Sequence, residues 1–339
     1  MAARLSLLVP GLLGPLPAAA RGWEALAAPS PALVAILARG RRGGGRAENY
    51  YALIDSLFER TPAAPLPAAA LSLLGEHGQA EPGHWLRADP VHLRADRDRV
   101  VLFGGPRIQL DVAEATALVE ECNRFLAQDG LSLHAPHPNR WYLRCEQPTR
   151  LDADPTVSLI GRYVDSHLPR GADARRWLSL LTELQMLLHG SGINLSREGR
   201  GQPSVNSVWL WGEGALPDTV RASWSRVFAD EPVLRGLGRL GGAAVAAPPS
   251  QLGDIEPGDD TLVCLLGAHE ALLLDDLERW RGALDQLERD WLTPALARLR
   301  RGELDQLELI AESGGWRLRR GDLRRFWRRL GPLVNYLEF

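Results

Sequence analysis

The chain has 339 residues, 45% of them hydrophobic, and a formal net charge of −3. That length suits one large domain or two of ordinary size, and a charge so near balance gives a nucleic-acid partner no bulk electrostatic support. All 39 basic residues are arginine, which excludes Schiff-base chemistry and a phosphate-binding loop lysine.

Met1 to Ala20 carries one arginine, an apolar run and Ala18-Ala19-Ala20, as a signal peptide does. Pro10, Gly11, Gly14, Pro15 and Pro17 interrupt that run, so Leu5 to Val9 before Pro10-Gly11 reads as a first buried strand. Pro31 to Arg39 predicts a short helix. Arg39, Arg41, Arg42 and Arg46 with Gly40 and Gly43-Gly44-Gly45 predict a solvated basic loop. Its backbone N–H groups and guanidinia are also of a kind that holds an anion. Tyr50 to Phe58 reads as an amphipathic helix, Pro62 to Pro67 as a linker, and Ala68 to Leu74 as a helix stopped at Gly75.

Trp85 to Leu93 and Val100 to Phe103 read as strands about a turn at Asp96–Arg99. Val112 to Gln128 has one apolar face and predicts a helix; Leu131 to His134 and Trp141 to Cys145 read as two more strands. This hairpin–helix–hairpin order predicts a small α+β module. Within it Arg87, Asp89, His92, Arg94, His134, His137 and Arg140 are polar candidates, with Arg87 and Arg140 able to form an anion site. Asp89 and His92 stand three apart on a strand and so point to opposite faces. Trp177 to His189 is a clear amphipathic helix.

Ser204 to Gly214 alternates at period two and stops at Gly212 and Gly214. Trp209 and Trp211 fall on one face, Val208 and Leu210 on the other, and the glycines would let a ligand approach the backbone. Asp218 to Val227 predicts a helix, and Leu234 to Leu240 and Val245 continue into a core. Thr261 to Gly267 is a buried strand by its unbroken apolar run. Leu272 to Arg300 is a long helical stretch with a break or new start at Pro294. Leu307 to Ala311 is a strand, and Asp322 to Arg329 a basic final helix. The fold class is α/β: a mostly parallel sheet covered by helices on both faces, with an inserted small α+β domain. The core is expected over 1–80 and 191–339, the insert over 81–190.

Cys122, Cys145 and Cys264 are far apart, with no CxxC, which argues against a zinc knuckle, and an odd cysteine count in a chain large enough to build a core points to a reducing compartment and a cytoplasmic protein. No run approaches the ~18 apolar residues of a membrane span.

Val205-Asn206-Ser207-Val208-Trp209-Leu210-Trp211-Gly212-Glu213-Gly214 resembles the tryptophan-strand segment of archaeal-type cofactor-independent phosphoglycerate mutases, in the alkaline phosphatase superfamily. Arg87-Ala88-Asp89-Pro90-Val91, Asn139 to Leu143 and Asp154-Pro155 resemble motifs of that family's inserted domain, and Gly192 to Glu198 the segment before its tryptophan strand. The chain as a whole also resembles bacterial RpfE-type proteins. The resemblance implies an alkaline-phosphatase-like sheet, two divalent metals held by Asp and His at strand ends, and a Ser or Thr nucleophile.

Those parts are replaced here. The family's first strand ends in Asp-Gly, whereas Pro10-Gly11 stands here; its late strand ends in Asp-His-Gly, whereas Glu312-Ser313-Gly314 stands here. After Leu262 to Leu266, Gly267-Ala268-His269-Glu270 offers one histidine without the preceding aspartate, and Gly43 to Tyr51 contains no serine or threonine. His269, Glu270 and Glu312 are remnant candidates; Arg87, Arg140, Asn206, Gly212 and Gly214 are the candidate ligand-binding set. The expectation is a non-catalytic phosphoglycerate-mutase-like protein with no metal and no cofactor. Its role is regulatory, through a small anionic ligand or a protein partner, without membrane or nucleic acid. The alternative is an active mutase or related phosphotransferase with displaced ligands.

Overall fold

Arg4–Leu8 forms strand β1, buried from Leu5 onward on both sides. A strand enclosed between two layers is largely apolar, and its one buried polar side chain, Ser6, is satisfied by donating to Glu308 Oε2 at 3.2 Å and accepting from Trp224 Nε1 at 3.0 Å. The chain is described by a computed structural model over residues 3–339 except Ala63 and Phe326. Met1 and Ala2 of the signal-like start, Ala63 of the expected linker and Phe326 of the expected last helix lie outside the described residues.

Helix α1 (Pro31–Arg39) starts with proline in its first turn, where the missing N–H costs nothing. Arg41–Gly43, expected in a solvated loop, is a short strand, β2. Asn49 caps α2 (Tyr50–Asp55), its side-chain oxygen accepting from Ala52 N at 2.9 Å. β3 (Glu59–Thr61) follows.

The next stretch holds α3 (Ala68–His77), β4 (His84–Asp96), β5 (Arg99–Gly104), α4 (Val112–Leu126), β6 (Ser132–His137) and β7 (Arg140–Cys145). Then come α5 (Thr156–Leu159), α6 (Ala174–His189), α7 (Gly192–Gly199) and β8 (Ser207–Trp211). Asp111 and Glu114 close a capping box at the start of α4. β4 pairs antiparallel with β5, β7 and β8, and β6 with β7. Leu118, Cys122, Trp177 and Leu184 from α4 and α6 pack with Val208 and Leu210.

The chain continues through β9 (Thr219–Arg221), β10 (Arg226–Phe228), α8 (Pro232–Leu240), β11 (Ala244–Ala246), β12 (Thr261–Cys264) and α9 (Gly267–Leu273). It ends with α10 (Leu277–Leu287), a π-helical turn at Glu288–Leu292, α11 (Thr293–Arg301), β13 (Gln306–Ala311) and β14 (Gly314–Arg319). The helix expected over Asp218–Val227 is two short strands instead. Val227 and its neighbours are drawn into register with Thr261 to Val263, so pairing overrides local pattern. The long helix expected over Leu272–Arg300 is interrupted at Asp275, whose φ is +55°, and Asp276 caps the restart. Pro294 lies in the first turn of α11, directly after the π turn. In place of the final helix, Arg320–Arg324 makes one 3₁₀ turn and Arg325 and Arg328 donate to carbonyl oxygens of Arg39, Ala38 and Gly40.

Two compact units result: Met1–Glu59 with Val220–Phe339, and Arg60–Thr219. The first holds a seven-stranded sheet in the order β11-β10-β12-β1-β13-β14-β2. From β11 to β13 neighbouring strands are parallel; β14 is antiparallel to β13 and β2 to β14. The second unit is wider than the 81–190 insert expected from sequence. The tryptophan strand, grouped there with the α/β core, pairs with β4 from Arg87↔Trp211 to Val91↔Ser207.

Candidate functional site

Parallel pairing brings the carboxyl ends of β1, β12, β13 and β10 to one edge of the first unit's sheet, the usual place for a site in α/β folds. Beyond β1 the turn Val9-Pro10-Gly11 is held from several sides. Val9 N donates to Ile310 O at 2.8 Å, Gly11 N to Glu312 Oε2 at 2.9 Å, and Trp280 Nε1 to Gly11 O at 2.9 Å. Gly11 has φ +70°, and a side chain there would stand 3.0 Å from the His269 Cα, so only glycine lets α9 come this close. Glu312 is half-buried; burial raises its pKa, while the Gly11 N–H works the other way.

His269, in the first turn of α9, stacks on Tyr50 with ring centroids 4.8 Å apart. Burial lowers its pKa to about 4, so it is a neutral imidazole at pH 7. Burial pushes the Tyr50 hydroxyl and the neighbouring Cys264 thiol up, so both keep their protons. Tyr51 Oη donates to Glu231 Oε1 at 3.3 Å, and Glu231 Oε2 accepts from Val233 N at 3.1 Å, capping α8. Glu270 is exposed and pairs with Arg279 at 3.0 Å. A cavity of about 260 Å³ opens here, lined by Val9, Asp230, Ser250, Cys264, Glu270 and Trp291 among others.

Two catalytic divalent ions would need several oxygen and nitrogen ligands converging on each. Among the described residues no group of three His, Cys, Asp or Glu is placed to hold an ion. Glu312, Glu231 and His269 each face a separate protein partner, and Pro10 has no ligand atom on its side chain. The residues present do not fit a two-metal centre.

The ligand-binding set read from sequence lies in the second unit and is not a single open site. Arg87 is 3% exposed and donates to Asp89 Oδ1 from Nε at 3.1 Å and from Nη2 at 2.6 Å. Asp89 Oδ2 also accepts from Trp211 Nε1 and from Thr156 Oγ1, both at 2.7 Å. Arg87 Nη1 reaches Ser72 Oγ at 3.2 Å, and its guanidinium lies over Tyr142 and Trp211 at 5.4 and 5.2 Å. Residues two apart on a strand share a face, so Arg87 and Asp89 neutralise each other. Arg140 pairs with Glu76 at 2.7 Å. Asn206 accepts from Leu93 N at 2.7 Å and donates to Leu93 O at 2.8 Å, fastening two chain segments.

The space a ligand would use at the two glycines is taken by protein. A Cβ on Gly212, whose φ is +68°, would stand 2.9 Å from the Ala68 Cβ, and one on Gly214 3.0 Å from Pro67 Cβ. Gly212 O accepts from Ala69 N at 2.9 Å, so these glycines seat the start of α3. His92 contacts Ser204 O at 2.9 Å, and His134 stands edge-on to Trp85 with centroids 5.2 Å apart. Sequence reasoning missed Tyr50, Cys264 and Glu231. Only Glu231 carried a local signal: an acidic cap directly before Pro232.

No protein-family model matches the chain. It is 28% identical over 160 residues to 2,3-bisphosphoglycerate-independent phosphoglycerate mutase 2 of Methanothermobacter thermautotrophicus, over 46% of this chain and 37% of the relative. It is 24% identical over 254 residues to the 2,3-bisphosphoglycerate-independent phosphoglycerate mutase of Methanosarcina acetivorans, over 68% of this chain and 61% of the relative. Its homologues are cofactor-independent phosphoglycerate mutases, at low identity. The chain thus spans less than two thirds of the length of these mutases. Among solved structures it is similar to the PH0037 protein from Pyrococcus horikoshii, with TM-score 0.50 and 12% identity over 93% of this chain and 86% of that one. That likeness is one of fold: a largely parallel α/β sheet with helices. Among the described residues no helix is long and apolar enough to cross a membrane.

Proposed function

We propose that this chain is a non-catalytic phosphoglycerate-mutase-like protein of the regulatory RpfE type, acting in the cytoplasm by binding a small anionic ligand or a protein partner. The observation that carries this reading is the end of β13. Glu312, the carboxylate best placed to remain a metal ligand there, accepts the Gly11 N–H at 2.9 Å, and Ser313 follows it. A phosphoryl-transfer transition state needs charge clamped at both the attacking and the leaving oxygen. The carboxyl edge supplies a neutral His269, a protonated Cys264 and separately engaged carboxylates in place of such a clamp. Three free, buried cysteines support a reducing compartment.

The test is a phosphoglycerate mutase assay of the purified chain with added Mn²⁺ or Mg²⁺, beside a thermal melt with and without chelator. The expected results are no turnover above background and an unchanged melting temperature, because a tightly held ion would stabilise the native state by RT ln(1 + [L]/Kd). The second reading is an active enzyme with displaced ligands, favoured by Asp230 and Glu270 lining the 260 Å³ cavity with Cys264. Metal-dependent turnover that Asp230→Asn or Glu270→Gln abolishes would establish it and overturn the first.

A further inference from the structure

The basic glycine-rich stretch Gly40–Arg46 lies outside the residues used for the proposed function, and the fold gives it a definite place that deepens the anion-binding reading. β2 pairs with β14, with Arg42 opposite Trp316. The Arg42 guanidinium lies 5.8 Å over the Trp316 ring and donates to Ser313 O at 2.9 Å. Arg328 reaches the same region and donates to Ala38 O and Gly40 O at 3.0 and 3.2 Å. Between them lies a cavity of about 410 Å³, lined by Arg42, Arg328, Ser313, Trp316, Tyr336 and Glu338 among others.

The charge in this cavity is one-sided. Glu338 is held by Arg46 in a two-bond pair, both at 2.8 Å, so its negative charge is already matched. Among the described residues neither Arg42 nor Arg328 has a carboxylate partner; both donate to main-chain carbonyls, which offset only part of a full positive charge. Ser313 supplies a second, independent sign. It is 8% exposed, lines the cavity, and its buried Oγ has no hydrogen-bond partner. A buried hydroxyl without a partner is unfavourable, so such a group points to an acceptor that completes it.

We infer that this cavity is a binding site for a small organic anion, its carboxylate or phosphate between Arg42, Arg328 and the Ser313 hydroxyl and its apolar body against Trp316 and Tyr336. Guanidinium forks match the planar or tetrahedral oxygens of such groups, and the aromatic walls favour a flat or hydrophobic body. The site is separate from the carboxyl-edge cavity beside Cys264, so it stands whether or not that edge is catalytic.

The experiment is calorimetric titration of the full chain with phenyl phosphate, benzoate and inorganic phosphate, with tryptophan fluorescence as a second readout. One of the two aromatic anions should bind with Kd below about 1 mM and about tenfold tighter than inorganic phosphate; which one wins tells phosphate from carboxylate. Arg42→Gln and Arg328→Gln keep a donor for the main-chain carbonyls and should each weaken binding about tenfold at unchanged melting temperature, and Ser313→Ala several-fold. Glu270→Gln, in the other cavity, should leave the affinity unchanged. For the unaltered chain, binding should weaken as ionic strength rises, a readout that needs no folded variant. Binding of neither aromatic anion, binding indifferent to salt, or affinity unchanged in both arginine variants would overturn the site.

Discussion

Arg87 and Asp89 in the second unit are buried as a pair, and every strong hydrogen-bonding atom of Asp89 is used inside the same network of Trp211, Thr156 and Arg87. Glu312 and His269 in the first unit are held one at a time, by a backbone N–H and by an aromatic face, on the edge of a sheet. Both arrangements place polar residues among apolar ones. The difference lies in whether removing one member strands another. In the closed network it does, so those residues act as core. At the sheet edge removing Glu312 strands only the Gly11 N–H and removing His269 strands no charged group, so change there costs less than in the closed network.

The sharpest way to break this comparison is Asp89→Ala. It leaves the Arg87 guanidinium buried without its carboxylate and removes the acceptor of Trp211 and Thr156, and should cost about 3–5 kcal/mol in urea unfolding. A loss under about 1 kcal/mol would show that the network is not core.

His269 gives the next largest effect, through pH. Its folded pKa of about 4 lies below the ordinary 6.5, so the unfolded chain takes up the proton first as pH falls. Stability from this group is full above about pH 6.5 and declines toward pH 4, by about 2–3 kcal/mol over that window. His269→Gln should flatten the acid limb of a stability–pH curve; matching curves for the two proteins would refute the buried, neutral imidazole.

Glu312→Gln is the smallest. Burial raises the Glu312 pKa, so its contribution is greatest in acid and is lost as pH rises through the folded value, opposite in sign to His269. At pH 7 the amide still accepts from Gly11, and the unfolding free energy should move by no more than about 1 kcal/mol. A destabilisation like that of Asp89→Ala would place Glu312 in a closed network after all.

Much of the frame was legible in the residues. The mostly apolar runs at Leu5 to Val9, Thr261 to Leu266 and Leu307 to Ala311, with only Ser6, Thr261 and Glu308 polar among them, gave the central parallel strands, because burial on both faces leaves little room for alternation. The period-two pattern placed Trp209 and Trp211 on one face correctly. What the pattern does not carry is the identity of the neighbour. Nothing local says that Trp211 lies opposite Arg87, or that a lone loop histidine finds Tyr50 as a stacking partner. Val227 read as helical because only its pairing with Leu262 makes it a strand. Arg87 looked like an anion-binding residue although its counter-charge stood two positions on, where the strand repeat already puts the two on one face.

Strand β1 has consequences for how the chain is made. Ser6 and its hydrogen-bond partner Glu308 are 302 residues apart, and β12, on the other flank, is also distant in sequence. Synthesis at about 5–20 residues per second therefore separates β1 from β13 by about 15–60 s. Until β12 is made, late in that interval, Leu5, Leu7 and Leu8 are an apolar segment with none of its sheet partners yet on the nascent chain. The strands of the second unit's sheet, β4 to β8, emerge together and can close while translation continues. The parallel sheet must wait for its last third, so the amino-terminal strand is the segment most in need of a chaperone during synthesis.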